Sequence, residues 1–132
     1  ELHIAKTLAL LQVLSDVGVK GLDRFRSPAC ELLAHKDRGT RLQAAALLRF
    51  IGTADDTPPL IAAMQDTSPL VAAQAAKAVS TCGGERDLIA LDILLSQSTW
   101  ANRPHSRDRI ARCRDEIRDR LDMSPRTIPR AK

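Results

Sequence analysis

Two stretches of this chain repeat one another. Asp37 to Gly52 reads DRGTRLQAAALLRFIG, and Asp66 to Gly83 reads DTSPLVAAQAAKAVSTCG. At an offset of 31 (Gly83 minus Gly52), Ala44 and Ala45 fall on Ala75 and Ala76, Leu48 on Val79, Ile51 on Cys82 and Gly52 on Gly83. The same offset carries Pro28 onto Pro59 and Leu33 onto Met64. A fixed period of this length marks a stacked repeat architecture, in which each unit buries its apolar face against the next.

The residue types agree with helices as the repeating unit. Apolar residues make up 44% of the 132 positions but aromatics only 2%, so the core must be built from Leu, Ala, Val and Ile. Such a core suits close-packed helices and suits a β-sandwich poorly. The length is enough for one domain with a real core. Residues 1–122 are expected to form that single repeat domain, with clear repeats at 28–52 and 59–83. Residues 123–132 hold two prolines and no periodicity, and are expected to be a flexible tail.

Along the chain, residues 2–17 read as a helix apolar over more than half its circumference. Such a helix must pack on two sides, and it offers a surface for a dimer or for a further repeat upstream. Ser27 and Pro28 are expected to open a short helix, as N-cap and first helical residue. A longer helix is expected from Thr40 to Ile51, closed by Gly52. Thr57 is expected to cap the next short helix, with Pro58 and Pro59 at its start. Pro69 opens an Ala-rich helix ending at Cys82, and Arg86 to Leu95 forms another. Ser96 to Ser106 reads as a loop containing Pro104. A last helix is expected from about Arg107 to Asp122, with one narrow stripe of Ile110, Cys113, Ile117 and Leu121 and charge on the rest. That pattern suits a capping helix with one side on the stack and the other in water. The order short helix, turn, long helix, glycine therefore recurs, and the alanines let helix axes approach closely where they cross.

At these residues the chain resembles HEAT repeats, in particular the short bacterial, phycobilisome-lyase-like kind. Asp37, Thr40, Arg41, Ala44, Ala45, Leu47, Leu48, Ile51 and Gly52 fill that family's repeat pattern. Asp66, Val71, Ala75, Ala76, Ala78, Val79, Cys82 and Gly83 fill it a second time. The second repeat has Ala72 where the family has an arginine, and the first has Arg49 at a position the family keeps small. The resemblance implies an all-α fold, a right-handed α-solenoid of about three to four antiparallel helix pairs ending in a charged capping helix. It also implies that Arg41 pairs with the turn aspartates Asp37 and Asp66. Functionally it implies a non-catalytic protein-binding scaffold or regulatory module of a larger, bacterial protein. Some relatives are di-iron hydroxylases with repeated His-Glu pairs, but His3, His35 and His105 are not followed by Glu. No catalytic constellation, metal site or cofactor site is therefore expected.

In that architecture the long helices line the concave face. Their outward positions are Gln43, Ala46 and Phe50, then Gln74, Lys77 and Thr81, which makes Gln43, Phe50, Gln74, Lys77 and Thr81 the candidate partner-binding residues. The partner would be a protein or peptide. A second candidate follows from charge. Residues 1–102 carry ten basic and eleven acidic side chains, whereas residues 103–132 carry ten basic and five acidic. Arg103, Arg107, Arg109, Arg112 and Arg114 are thus candidates for binding nucleic acid or another polyanion. Asp108, Asp115, Glu116, Asp119 and Asp122 are interleaved among them, which favours a solvated helix over a phosphate-binding track.

Cys30, Cys82 and Cys113 are widely spaced and odd in number, and each falls at an apolar helix position. Buried thiols in a reducing, cytoplasmic setting are expected. No apolar run approaches the roughly 18–20 residues that span a bilayer. The start, ELHIAK, lacks both an initiator Met and a signal pattern, as expected of a domain within a longer protein.

Overall fold

The computed structural model describes Leu10 and residues 21–97 and 103–122. The expected helix 2–17, the surface it would offer a second copy, the Trp100 loop and the tail 123–132 lie outside these, Leu10 apart. Six α-helices are described: α1 (Arg26–Leu32), α2 (Arg38–Ile51), α3 (Thr57–Ala63), α4 (Pro69–Cys82), α5 (Glu85–Leu95) and α6 (Pro104–Asp122). Short 3-10 turns, Leu22–Phe25 and Ala54–Asp56, lead into α1 and α3. There is no strand among the described residues.

The helices form three antiparallel pairs. α1 packs on α2, α3 on α4 and α5 on α6. The pairs are stacked mainly through their second helices, α2 on α4 and α4 on α6, and no comparable contact joins α1 to α3 or α3 to α5. A cavity of about 260 Å³ lies between α1 and α3, lined by Leu33, Pro59, Ala62 and Asp66 among others. The stack is thus held tightly along its second helices and loosely along its first.

The alanines explain the tight side. Ala44, Ala45, Ala75 and Ala76 are buried, and between them the α2 and α4 axes approach over methyl groups. Leu47, Leu48, Leu60, Met64, Val79 and Leu91 fill the space between first and second helices. Ile110, Cys113 and Ile117 bring α6 onto the same core, as their spacing predicts. Ala46 departs from expectation: placed outward by periodicity, it is buried, because α2 and α4 make the broadest contact in the stack.

Several helix starts differ from those expected. Ser27 is exposed and caps nothing; α1 begins at Arg26, two residues before the expected Pro28, continuing from the 3-10 turn Leu22–Phe25. Thr57 does not cap α3 either. Thr53 begins the preceding turn in a capping box with Asp56, and the buried Thr57 hydroxyl donates back to the Ala54 carbonyl (3.1 Å). Asp37 caps α2, accepting from both the Thr40 N–H and its hydroxyl (2.9 Å each). Ser68 caps α4 ahead of Pro69. Most consequentially, α6 starts at Pro104, not Arg107. Proline suits the first turn of a helix, where its missing N–H leaves no bond unmade. Packed on α5 and stacked on α4, α6 is the second helix of a third pair.

Arginines tie the pairs together. Arg41 donates to Asp66 (2.8 and 3.2 Å) and to the carbonyls of His35 and Lys36 just beyond α1. Asp66 is thus its carboxylate partner, while Asp37 is engaged as the α2 cap. Arg26 grips Asp56 (2.8 and 3.2 Å) and the Thr53 hydroxyl. Arg86 donates to the Ala54 carbonyl, and Arg120 to those of Ser80 and Gly83 at the end of α4. Ala72 leaves the second repeat without the family's arginine. Arg103, from the next pair, donates instead to the Gln65 and Asp66 carbonyls (3.1 and 3.5 Å).

Two expectations follow. Gly83 has an ordinary extended backbone (φ −71°, ψ 154°), but a Cβ there would lie 2.5 Å from the Val79 carbonyl and 2.9 Å from Ile117 Cδ1. Gly83→Ala should destabilise the fold by about 1–3 kcal/mol in urea titrations. Gly84→Ala, which meets nothing within 4 Å, should cost little. Arg41→Ala should cost about 2–4 kcal/mol, because it strands Asp66 and two carbonyls in a largely buried setting. Arg41→Lys, which cannot fork across the Asp66 carboxylate, should restore only part of it.

Candidate functional site

The second helices present parallel stripes. Gln43, Ala46 and Phe50 on α2 correspond at the 31-residue offset to Gln74, Lys77 and Thr81 on α4. Of the candidate binding residues, Phe50 is 43% exposed, and Lys77 and Thr81 are also exposed. Gln43 and Gln74 are half-buried. Phe50 does not tuck beneath its neighbours. Instead the Arg49 guanidinium covers part of its ring, 5.3 Å from the centroid. Arg49 also donates to Gln74 Oε1 (3.3 Å), and so spans α2 and α4 on this face. The Thr81 hydroxyl donates to the Lys77 carbonyl one turn back (3.0 Å).

The five arginines proposed for polyanions have different fates. Arg103 is half-buried and bonded to carbonyls, as described above. Arg114 pairs with Asp92 on α5 (3.1 Å) and with Asp115. Arg107 is exposed in the first turns of α6. Arg109 and Arg112 point toward α4. There they rim, with Lys77 and Glu116, a cleft of about 140 Å³ between α4 and α6. Ser80 and Cys113 help to floor it. Residues from both candidate sites thus meet in one place. The signal was present in the sequence: Ala73, Ala76, Lys77 and Ser80 share the spacing of Arg109, Arg112, Cys113 and Glu116. It was hidden because the period breaks after Leu95, so the last helix reads as a terminal cap and not as the partner of the α4 stripe.

The acidic residues serve the fold. Asp56 is buried beside Cys30, whose thiol donates to it (3.5 Å). Burial alone would raise the Asp56 carboxyl, but donors from Arg26 and the Thr53 N–H outweigh it and hold the group below its ordinary value. The hydrogen bonds from Thr40 lower Asp37 in the same sense. Asp87 reaches back to the Gly84 N–H (2.7 Å), as Asp56 does to Thr53 one repeat earlier.

The thiols are held in their neutral form. Burial and then the Asp56 charge push Cys30 up to about 12, and burial pushes Cys113 up to about 11. Burial also raises Cys82. Thiols so shifted carry almost no thiolate at neutral pH and are poor nucleophiles.

Among the described residues no group of three or more His, Cys, Asp or Glu could hold a metal ion. No helix there is long and apolar enough to cross a membrane. A family model described as HEAT repeats matches residues 26–106. No curated protein and no solved structure matches the chain.

The carboxylates carry a pH dependence. A carboxyl lowered by folding contributes stability that is present above its unfolded value, near 3.9, and is lost as pH falls through the folded one. Stability measured by urea denaturation should therefore fall as the pH drops below about 4. Asp56→Asn should be less stable at pH 7 and show a shallower acid loss; an unchanged acid slope would mean that Asp56 does not carry it.

Proposed function

Since the chain belongs to the HEAT-repeat family, we propose that it is a non-catalytic interaction module that holds a partner protein on the inner face of its second helices. HEAT repeats commonly serve as protein-interaction scaffolds, and the family is typically non-catalytic. The observation that carries the reading is Phe50. It is a large apolar ring left exposed among polar side chains on the side where the second helices lie closest. Aromatic residues so placed are the usual anchors of protein interfaces. Gln43, Gln74, Lys77 and Thr81 surround that stripe and supply polar contacts. We further propose that the module belongs to a larger bacterial protein and works in the cytoplasm.

A polyanion reading through the α6 arginines is the weaker alternative. Arg103 and Arg114 are already engaged within the protein, and five carboxylates share the helix with the rest. A nucleic-acid surface would also want aromatics for stacking, and the described part of α6 has none.

The test is capture from host lysate, with and without nuclease, using the whole chain as bait. A protein that survives nuclease is expected. It should be lost with Phe50→Ala combined with Gln43→Ala while the melting temperature shifts little. Recovery that vanishes with nuclease would instead move the function to the α6 arginines.

A further inference from the structure

We propose that the cleft between α4 and α6 is the seat of an acidic segment of that partner protein, gripped by Lys77, Arg109 and Arg112. The inference rests on the scaffold reading and gives its partner a chemistry.

The construction of the cleft argues for it. Ala73, Ala76, Lys77 and Ser80 lie along one stripe of α4, and Arg109, Arg112, Cys113 and Glu116 along the facing stripe of α6. Each set steps by three, one and three residues, so each forms a single helical face. Small side chains make the floor and long charged ones the walls. A partner backbone can therefore come close while its side chains meet the cations.

Charge is the second argument. Arg26, Arg41, Arg86, Arg103, Arg114 and Arg120 all donate to carboxylates, hydroxyls or carbonyls within the fold. Lys77, Arg109 and Arg112 make no side-chain hydrogen bond or ion pair with any described residue. Three like charges around one depression repel one another, and Glu116 is the only carboxylate on its rim. The fold leaves this excess positive charge in place, and an incoming carboxylate relieves it. Arg109 and Arg112 present forked donors that match a carboxylate in both geometry and charge.

Size and surroundings select the class of ligand. At about 140 Å³ the cleft is well below the roughly 300–1,000 Å³ of small-molecule sites. It has room for one or two acidic side chains and not for a cofactor. A continuous phosphate backbone would run on past Glu116 and Asp119, whose charges repel it. A peptide can place Glu or Asp at the cations and neutral residues beyond.

The probe is a fluorescein-labelled Glu-rich synthetic peptide, titrated by anisotropy against the full chain. A Gln-substituted copy and a single-stranded oligonucleotide of equal charge serve as comparisons. The Glu peptide should bind, weaken with salt, and outcompete both. Arg109→Glu with Arg112→Glu should weaken it by at least about tenfold. The neutral pair Arg109→Gln with Arg112→Gln should weaken it less while leaving the melting temperature unchanged. Arg38→Glu makes, at the start of α2 and outside the cleft, the same two-unit change of charge as either α6 substitution made singly, and should have an effect below about twofold. Equal losses from Arg38→Glu and from either of its α6 counterparts made singly would mean non-specific attraction and overturn the proposal. So would tighter binding of the oligonucleotide.

The two readings fail separately. If the protein captured from lysate still binds the Arg109→Glu, Arg112→Glu variant but not the Phe50→Ala, Gln43→Ala variant, the scaffold stands and the acidic-segment cleft falls. If the captured protein is indifferent to both, both fall.

Discussion

Everything in this fold depends on how closely the second helices approach. Ala44 and Ala45 on α2 and Ala75 and Ala76 on α4 are all buried. Only a methyl at such crossing points lets two axes come together without opening a gap or forcing side chains off their rotamers. Gly83 applies the same rule at the end of α4, where Ile117 of α6 occupies the space a Cβ would need. The first helices have no such constraint and remain apart. The close side of the stack, along which Phe50 and Lys77 are exposed, is thus a consequence of where the small residues lie.

Close axes leave little apolar surface between the loops, and arginines hold those ends. Arg26, Arg41, Arg86, Arg103 and Arg120 each reach a carboxylate or a backbone carbonyl on another element, in several cases a carbonyl that a helix end leaves without a partner. The substitution of duties between Ala72 and Arg103 shows what is required. What the stack needs is a donor at the carbonyls beyond the first helix, and it does not matter which pair supplies it. The Asp56 cluster does more than tie. It caps its own turn, receives Arg26 from the preceding pair and adds to the burial that keeps the Cys30 thiol neutral.

The family and the first two pairs were legible because their signal is periodic. Ala44–Ala45 and Ala75–Ala76 recur at a fixed offset, and the glycines close both long helices. The third pair was not legible as such. Ile110, Cys113 and Ile117 do the work of the alanines with larger side chains, and a longer connection after Leu95 breaks the period. Pro104 read as a loop breaker although proline fits a helix start equally well. Ser27 and Thr57 read as caps because their residue types suit the role. The backbone instead enters each helix from a 3-10 turn, and the cap at Thr53 lies a full turn upstream. Such differences depend on tertiary bonds from Arg26 and Arg86, which no local pattern contains.

The fate of the arginines was the least legible of all, and this is why the fold reads clearly while the partner does not. All of the net positive charge lies in residues 103–132, which as a sequence look like one basic arm. In the fold Arg103, Arg114 and Arg120 turn to carbonyls and to Asp92, while Arg109 and Arg112 turn to the cleft. The residue type is the same in both groups; what differs is the face of α6. One face carries Ile110, Cys113 and Ile117 and must match α4 and α5 closely, so any change there disturbs the stack. The adjoining face carries Arg109, Arg112 and Glu116 and touches the core only through their stems. Substitutions on that second face change the charge around the cleft and leave the packed stripe in place. A repeat protein built this way keeps its architecture in the small residues and leaves its specificity in long, solvent-reaching ones, where no period exists to be read.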